Sequence, residues 1–178
     1  MQKRVFQLSW KKENQIGRIN KMSDDELILI KKTLESAKTI AMVGVSSVKK
    51  EVSTNIRRRP STIVMKYMQE FGYKVIPVNP FSVGEKVHGE TIVGKLSDIK
   101  IPIDIVGVFR PSREAPMIAE ESVKIGAKVF WLQYGIQNQE AEKIAETANI
   151  AYVANKCIKQ EYQRLFLKVS PVFPALKN

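Results

Sequence analysis

Five short apolar runs, separated by stretches with helical periodicity, constrain this chain more than any other feature. They are TIAMVGV (39–45), KVIPVNP (74–80), DIVGVF (104–109), AKVFWLQ (127–133) and IAYVA (150–154). Short β-branched runs without polar alternation read as strands buried on both faces. Between them, apolar residues recur at three- and four-residue spacing. Ser23-Asp24-Asp25-Glu26 has the hydroxyl and carboxylate of a capping box and opens a helix over 23–37, with Leu27, Ile30 and Leu34 on one face. Ser61 is placed to cap a second helix whose face is Val64, Met68 and Phe71, with Gly72 at its end. Helices are also expected at 112–125 before Gly126, at 138–148 and at 158–168. Strands alternating with helices require right-handed crossovers, and therefore an α/β fold with a doubly wound parallel sheet of Rossmann-like type. The 178 residues suit one such domain. It is expected at 23–170, with a basic tail at 1–22 and a short C-terminal tail at 171–178.

Composition narrows the class. At 44% hydrophobic and 26% charged the chain reads as globular, and no apolar run approaches the roughly 20 residues of a membrane helix. A single cysteine, Cys157, cannot form an internal disulfide, which suits a reducing compartment, and a cytoplasmic location is expected. The net charge is +11, and nearly half of it lies in residues 1–21, where Lys3, Arg4, Lys11, Lys12, Arg18 and Lys21 face Glu13 alone. This tail is open to three readings: a disordered basic arm, an organellar targeting segment, or the product of a start upstream of Met22. The first and last are favoured, because termini are commonly unordered. Basic chains prefer polyanions, but no stacking-aromatic motif or recognition helix is visible, so specific nucleic-acid binding is not expected.

In an open parallel sheet, ligands bind outside the carboxyl ends of the strands, near the switch point. The residues that follow each strand are therefore the candidate site. Gly44-Val45-Ser46-Ser47 follows the first run, Asn79-Pro80-Phe81 the second, Arg110-Pro111-Ser112 the third and Gln133-Tyr134-Gly135 the fourth. Gly44 permits a tight turn and close approach of backbone to a phosphate, and the helix beyond it offers unpaired N–H groups. Lys49, Lys50, Arg57, Arg58 and Arg59 crowd the same loop, which reads either as a solvated basic loop or as a phosphate site. A dinucleotide fingerprint would show G-x-G-x-x-G at the first turn and an acid ending the second strand. This chain has one glycine there and ends that strand in Asn79-Pro80. NAD is disfavoured, and a 3′-phosphorylated ADP moiety is tolerated.

The segments VGVS, RRPS, YMQEFGYKVIPVNPF, DIVGVFR, IGAKVFWLQYGI and CIKQEYQRL resemble the YccU-like coenzyme A-binding proteins. These are stand-alone relatives of the CoA-binding domain of the succinyl-CoA synthetase α subunit. The resemblance covers residues 23–168. It implies that Gly44, Val45 and Ser46 cradle CoA phosphates, with Ser47, Lys49, Arg59 and Ser61 nearby. It also implies that Asn79, Pro80, Val108, Phe109 and Arg110 flank adenine and ribose, and that Gln133 and Gly135 lie nearer the pantetheine. Two departures stand out: a loop between Ser46 and Arg59 longer than the family usually shows, and Gly107 where relatives carry a polar or acidic residue.

The remaining chemistry is sparse. His88, the sole histidine, lies in the stretch GEKVHGET, expected as a loop, and is expected to be solvated. One histidine and one cysteine cannot make a structural zinc site. Cys157 reads first as a small hydrophobe; the sharper reading is a mixed disulfide with CoA or another thiol. Trp131 is expected in the core, and Glu161 with Arg164 as a helix-surface ion pair. The ligase relatives depend on a phosphorylated histidine in a further domain, and this chain has no matching one. The expected function is therefore recognition of CoA or an acyl-CoA without autonomous catalysis, with a protein partner possible. An NAD(P)-binding redox protein and an accessory subunit of an ADP-forming acyl-CoA ligase are the alternatives.

Overall fold

The computed structural model describes residues 23–46 and 60–167. Helix α1 (Asp24–Ser36) begins at the expected box: Ser23 Oγ accepts from the Glu26 amide at 3.1 Å. Acidic residues fill its first turn, where the helix dipole favours them. Strand β1 (Thr39–Val43) follows, and then α2 (Pro60–Glu70), β2 (Lys74–Val78) and a small hairpin of β3 (Lys86–Val87) and β4 (Glu90–Thr91). The second half alternates β5 (Ile105–Val108), α3 (Ala115–Lys124), β6 (Val129–Leu132), α4 (Gln139–Thr147), β7 (Ala151–Val153) and α5 (Ile158–Phe166).

The five long strands form one parallel sheet in the order β2-β1-β5-β6-β7. The doubly wound expectation holds. The chain starts at the centre, runs outward to β2, and crosses back to β5, so the switch point lies between β1 and β5. Each face buries its own core. Ile40, Met42, Ile105, Trp131 and Val153 meet Ile30, Val64, Met65 and Met68 of α1 and α2 and Ile158 of α5. Ala41, Val106, Val108, Phe130 and Leu132 meet Ile118 and Ala119 of α3 and Ala141 of α4. Such side chains contribute roughly 1.5–3 kcal/mol each when fully buried. Trp131 is fully buried and its Nε1 donates to the Lys156 carbonyl at 2.7 Å, as a core indole should.

Three local expectations are corrected. The second helix begins at Pro60, not after a Ser61 cap; proline has no N–H to lose in the first turn, and Ser61 is buried one residue inside it. Phe71 lies past the helix end and is more than a third exposed, stacking on Tyr67 and Tyr162 instead of filling the core. GEKVHGET is not a plain loop: Val87 and Glu90 pair across a turn in which His88 and Gly89 both have positive φ, of 46° and 83°. The His88 Nε2 lies 3.0 Å from the Thr62 carbonyl, which fixes the turn against α2. The strands also end one or two residues earlier than their apolar runs, and the residues so released build the carboxyl edge.

At the opposite edge, Asp104 ties β5 to β1. Its Oδ2 accepts from the amides of Lys38 and Thr39 at 2.8 and 3.1 Å, and its Oδ1 lies 2.7 Å from the Lys128 ammonium. Burial alone would raise this carboxyl. The Lys128 contact, the two amides and the Thr39 hydroxyl outweigh it and hold the group at about 2.

Candidate functional site

The first turn at the carboxyl edge is shaped by Gly44. Its amide donates to the Val78 carbonyl at 2.9 Å, and its φ of +99° is one that residues with a side chain rarely adopt. A Cβ there would lie 2.9 Å from Arg110 Cδ and 3.0 Å from the Phe109 carbonyl. Gly44 and Arg110 therefore meet directly across the switch point. Val45 is fully buried, so its side chain serves the core and its backbone serves the site.

Asn79 organises the corner. It is 4% exposed, and its Nδ2 donates to the Val45 carbonyl at 2.9 Å and lies 3.3 Å from Ser46 Oγ. Its Oδ1 accepts from the Phe81 amide at 3.0 Å, across an exposed Pro80. One side chain thus fixes the Gly44 turn and the Asn-Pro-Phe turn together, the local use to which asparagine is suited. Val108 is fully buried, and its carbonyl accepts from the Gln133 amide at 3.3 Å. Phe109 is half-buried against the α2 face. Arg110 Nε and Nη2 donate to the Glu114 carboxylate at 2.7 and 3.3 Å.

Gln133 is 4% exposed. Its Oε1 accepts from the Ile158 amide at 3.1 Å, at the start of α5, which orients the side-chain amide. Its Nε2 has no hydrogen-bond partner among the described residues, and it lies 3.6 Å from where a Cβ on Gly107 would stand. Gly107 thus leaves unfilled the place from which a polar residue could pair with this amide. Gly135, with φ of +81°, donates its amide to Asn155 Oδ1 at 2.8 Å. Cys157 sits at the N-cap of α5, partly buried against the core.

The structure therefore brings Gly44, Val45, Ser46, Asn79, Pro80, Phe109 and Arg110 to one corner, with Gln133 and Gly135 along the same edge. Ser47, Lys49 and Arg59 lie outside the described residues, as do most of the basic loop and both tails. Two neighbours, Glu114 and Asn155, were missed. Glu114 stands four residues after Arg110, a spacing that marks a helical ion pair in RPSRE. Phe81, next to Asn79-Pro80, is 69% exposed despite its size. Asn155 carries no local signal; its role depends on the fold. Among the described residues no cluster of histidine, cysteine and acids suits a metal, and no helix is long and apolar enough to cross a membrane.

Residues 38–163 match the family model described as CoA binding domain. The chain is 40% identical over 130 residues to the uncharacterized protein YneT of Bacillus subtilis, covering 73% of this chain and 89% of that protein. Cell-free ID.343 from Thermus thermophilus superposes with a TM-score of 0.70 at 39% identity, covering 82% of this chain and all of that one. A hypothetical protein from Pyrococcus horikoshii OT3 gives 0.69 at 37% identity, covering 81% and 92%. The matched span runs from the residue before β1 into α5, and the chain belongs to the CoA-binding domain family.

Proposed function

We propose that this protein binds coenzyme A or an acyl-CoA at the carboxyl edge of its sheet, in the cytoplasm, and catalyses no reaction by itself. The observation that carries the reading is the meeting of the Gly44 turn with Arg110 at the β1/β5 switch point, in a chain whose family is defined by CoA binding. Ligands of open α/β sheets lie at that point. A positive-φ glycine lets the backbone approach a diphosphate, and the neutral Asn79-Pro80 end of β2 does not repel a phosphorylated ribose. The pantetheine would run toward Gln133 and Gly135. Ser47, Lys49 and Arg59 would add donors from the long loop. A separate protein would then supply any chemistry performed on the acyl group.

Thermal unfolding with CoA, dephospho-CoA, acetyl-CoA and NAD at matched concentrations tests this. A ligand at about 100 times its dissociation constant stabilises the native state by about 2.7 kcal/mol. CoA is expected to raise the midpoint, dephospho-CoA to raise it less, and NAD to leave it in place. A shift with NAD alone would replace the CoA reading with a redox one. Thiol release from acetyl-CoA, followed in the same samples, is expected to stay at the buffer rate; protein-dependent release would overturn the non-catalytic part.

A further inference from the structure

At the amino edge of the sheet an aromatic ladder borders an open groove. Phe71, just past the end of α2, has its ring centre 4.7 Å from those of Tyr67 and Tyr162, and Tyr162 continues to Phe166 at 4.8 Å. Leu34, Ala37, Phe71, Tyr73, Tyr162 and Phe166 line a groove of about 350 Å³ between the ends of α1 and α5. One side of it is firmly held: Tyr73 is buried, and its hydroxyl donates to the Leu34 carbonyl at 2.6 Å. The strands separate this groove from the carboxyl edge, so nothing said of it rests on the CoA reading.

Phe166 ends α5, and the described residues stop one residue later, at Leu167. The next eleven, KVSPVFPALKN (168–178), lie outside the described residues. Pro171 and Pro174 stand there in the spacing P-x-x-P, with Val172 and Phe173 between them. Aromatic-lined grooves recognise this spacing, because proline rings pack on aromatic faces and a proline-stiffened chain loses little entropy on docking. Eleven residues reach at most about 36 Å, enough to cross the groove from its own wall. The segment 1–22 is badly placed to do so. It joins α1 at the opposite end, where Glu26 lies 3.6 Å from Lys156 beyond the carboxyl end of β7. The length of α1 puts about 20 Å between that end and the groove.

We propose that this groove is the docking site of the chain's own residues 168–178, with Pro171 and Pro174 set against Phe71, Tyr162 and Phe166. The contact would tie the last helix to the ends of α1 and α2. In the unaltered full chain, nuclear Overhauser contacts are expected from the ring protons of Phe71 or Tyr162 to the side chains of 171–174. Their absence overturns the proposal. Contacts found only between labelled and unlabelled molecules in a mixed sample also overturn it, in favour of a second copy. A synthetic peptide of residues 168–178 supplies an independent reading by calorimetry. It is expected to bind the full chain carrying Pro171→Ala, Phe173→Ala and Pro174→Ala together. The unaltered chain should bind it about tenfold more weakly, since a tethered competitor acts at millimolar effective concentration. Equal affinity for the two proteins, or none for the altered one, overturns the proposal. Adding Phe71→Ala to the altered chain should abolish peptide binding, and retained binding moves the peptide to another surface. Should that variant melt early, the contacts in the unaltered chain still decide.

Discussion

The two edges of the sheet use similar residues to different ends. At the amino edge, Asp104 accepts from two backbone amides and pairs with Lys128, and Thr39 Oγ1 lies within hydrogen-bond reach of the Pro102 carbonyl and the Asp104 amide. Its polar atoms find their partners inside the protein. At the carboxyl edge, Gln133 holds the Ile158 amide with one atom and leaves the other without a partner among the described residues. There too Phe81 and Tyr134 stand 69% and 74% exposed. The first edge is tied together internally, and the second holds one buried amide donor, Gln133 Nε2, without a partner among the described residues. The distinction is physical: a buried donor without a partner costs roughly 1–3 kcal/mol, so a fold retains one where some other requirement outweighs that cost.

The sharpest way to break this contrast is Gly44→Ala. The added Cβ would press on the Phe109 carbonyl and the Arg110 stem at a φ of +99°, with an expected loss of about 2–3 kcal/mol. The CoA-induced thermal shift should vanish as well. Loss of stability with the shift intact would make this turn as structural as the Asp104 knot. Asp104→Asn tests the other edge and should cost about 2 kcal/mol at neutral pH while leaving ligand shifts unchanged. Because the folded carboxyl is held at about 2, below its ordinary value of about 3.9, its contribution is complete above that ordinary value. It is lost as pH falls from about 4 through about 2. Acid unfolding curves of the two proteins should therefore converge toward pH 2, and parallel curves throughout would deny the carboxylate its role. The smallest expected effect is Gly107→Ser. A Cβ there meets Gln133 Nε2 and the Ala41 carbonyl at 3.6 and 3.9 Å, ordinary contact distances. A hydroxyl that accepts from the Gln133 amide should add about 1 kcal/mol in urea unfolding. A loss instead would mean that the amide already has its partner.

Much of the framework was legible because burial on both faces leaves a mark in composition. The central strands are uninterrupted apolar runs, and α1 announces itself with the side-chain cap at Ser23. The hairpin was not legible, since two-residue strands have no periodicity and His88-Gly89 is not the usual Asn-Gly turn signal. The residues of the carboxyl edge were legible as a set of loops, but not as a set of contacts. Arg110 beside Gly44 depends on the register of β1 with β5, and the Gly135–Asn155 bond joins two loops twenty residues apart.

The sequence by itself determined the class of fold, the order of its five sheet strands and which residues follow each of them, because periodicity, capping and glycine placement act over a few residues. The tertiary structure alone decided that Asn79 would lock two turns at once, that Glu114 would pair with Arg110 beside the Gly44 turn, and that the Gln133 amide would lie over Gly107 with no partner among the described residues. Those facts follow from which strand lies beside which, and strand neighbours are chosen by the packing of two cores across one sheet, which no local stretch of sequence contains.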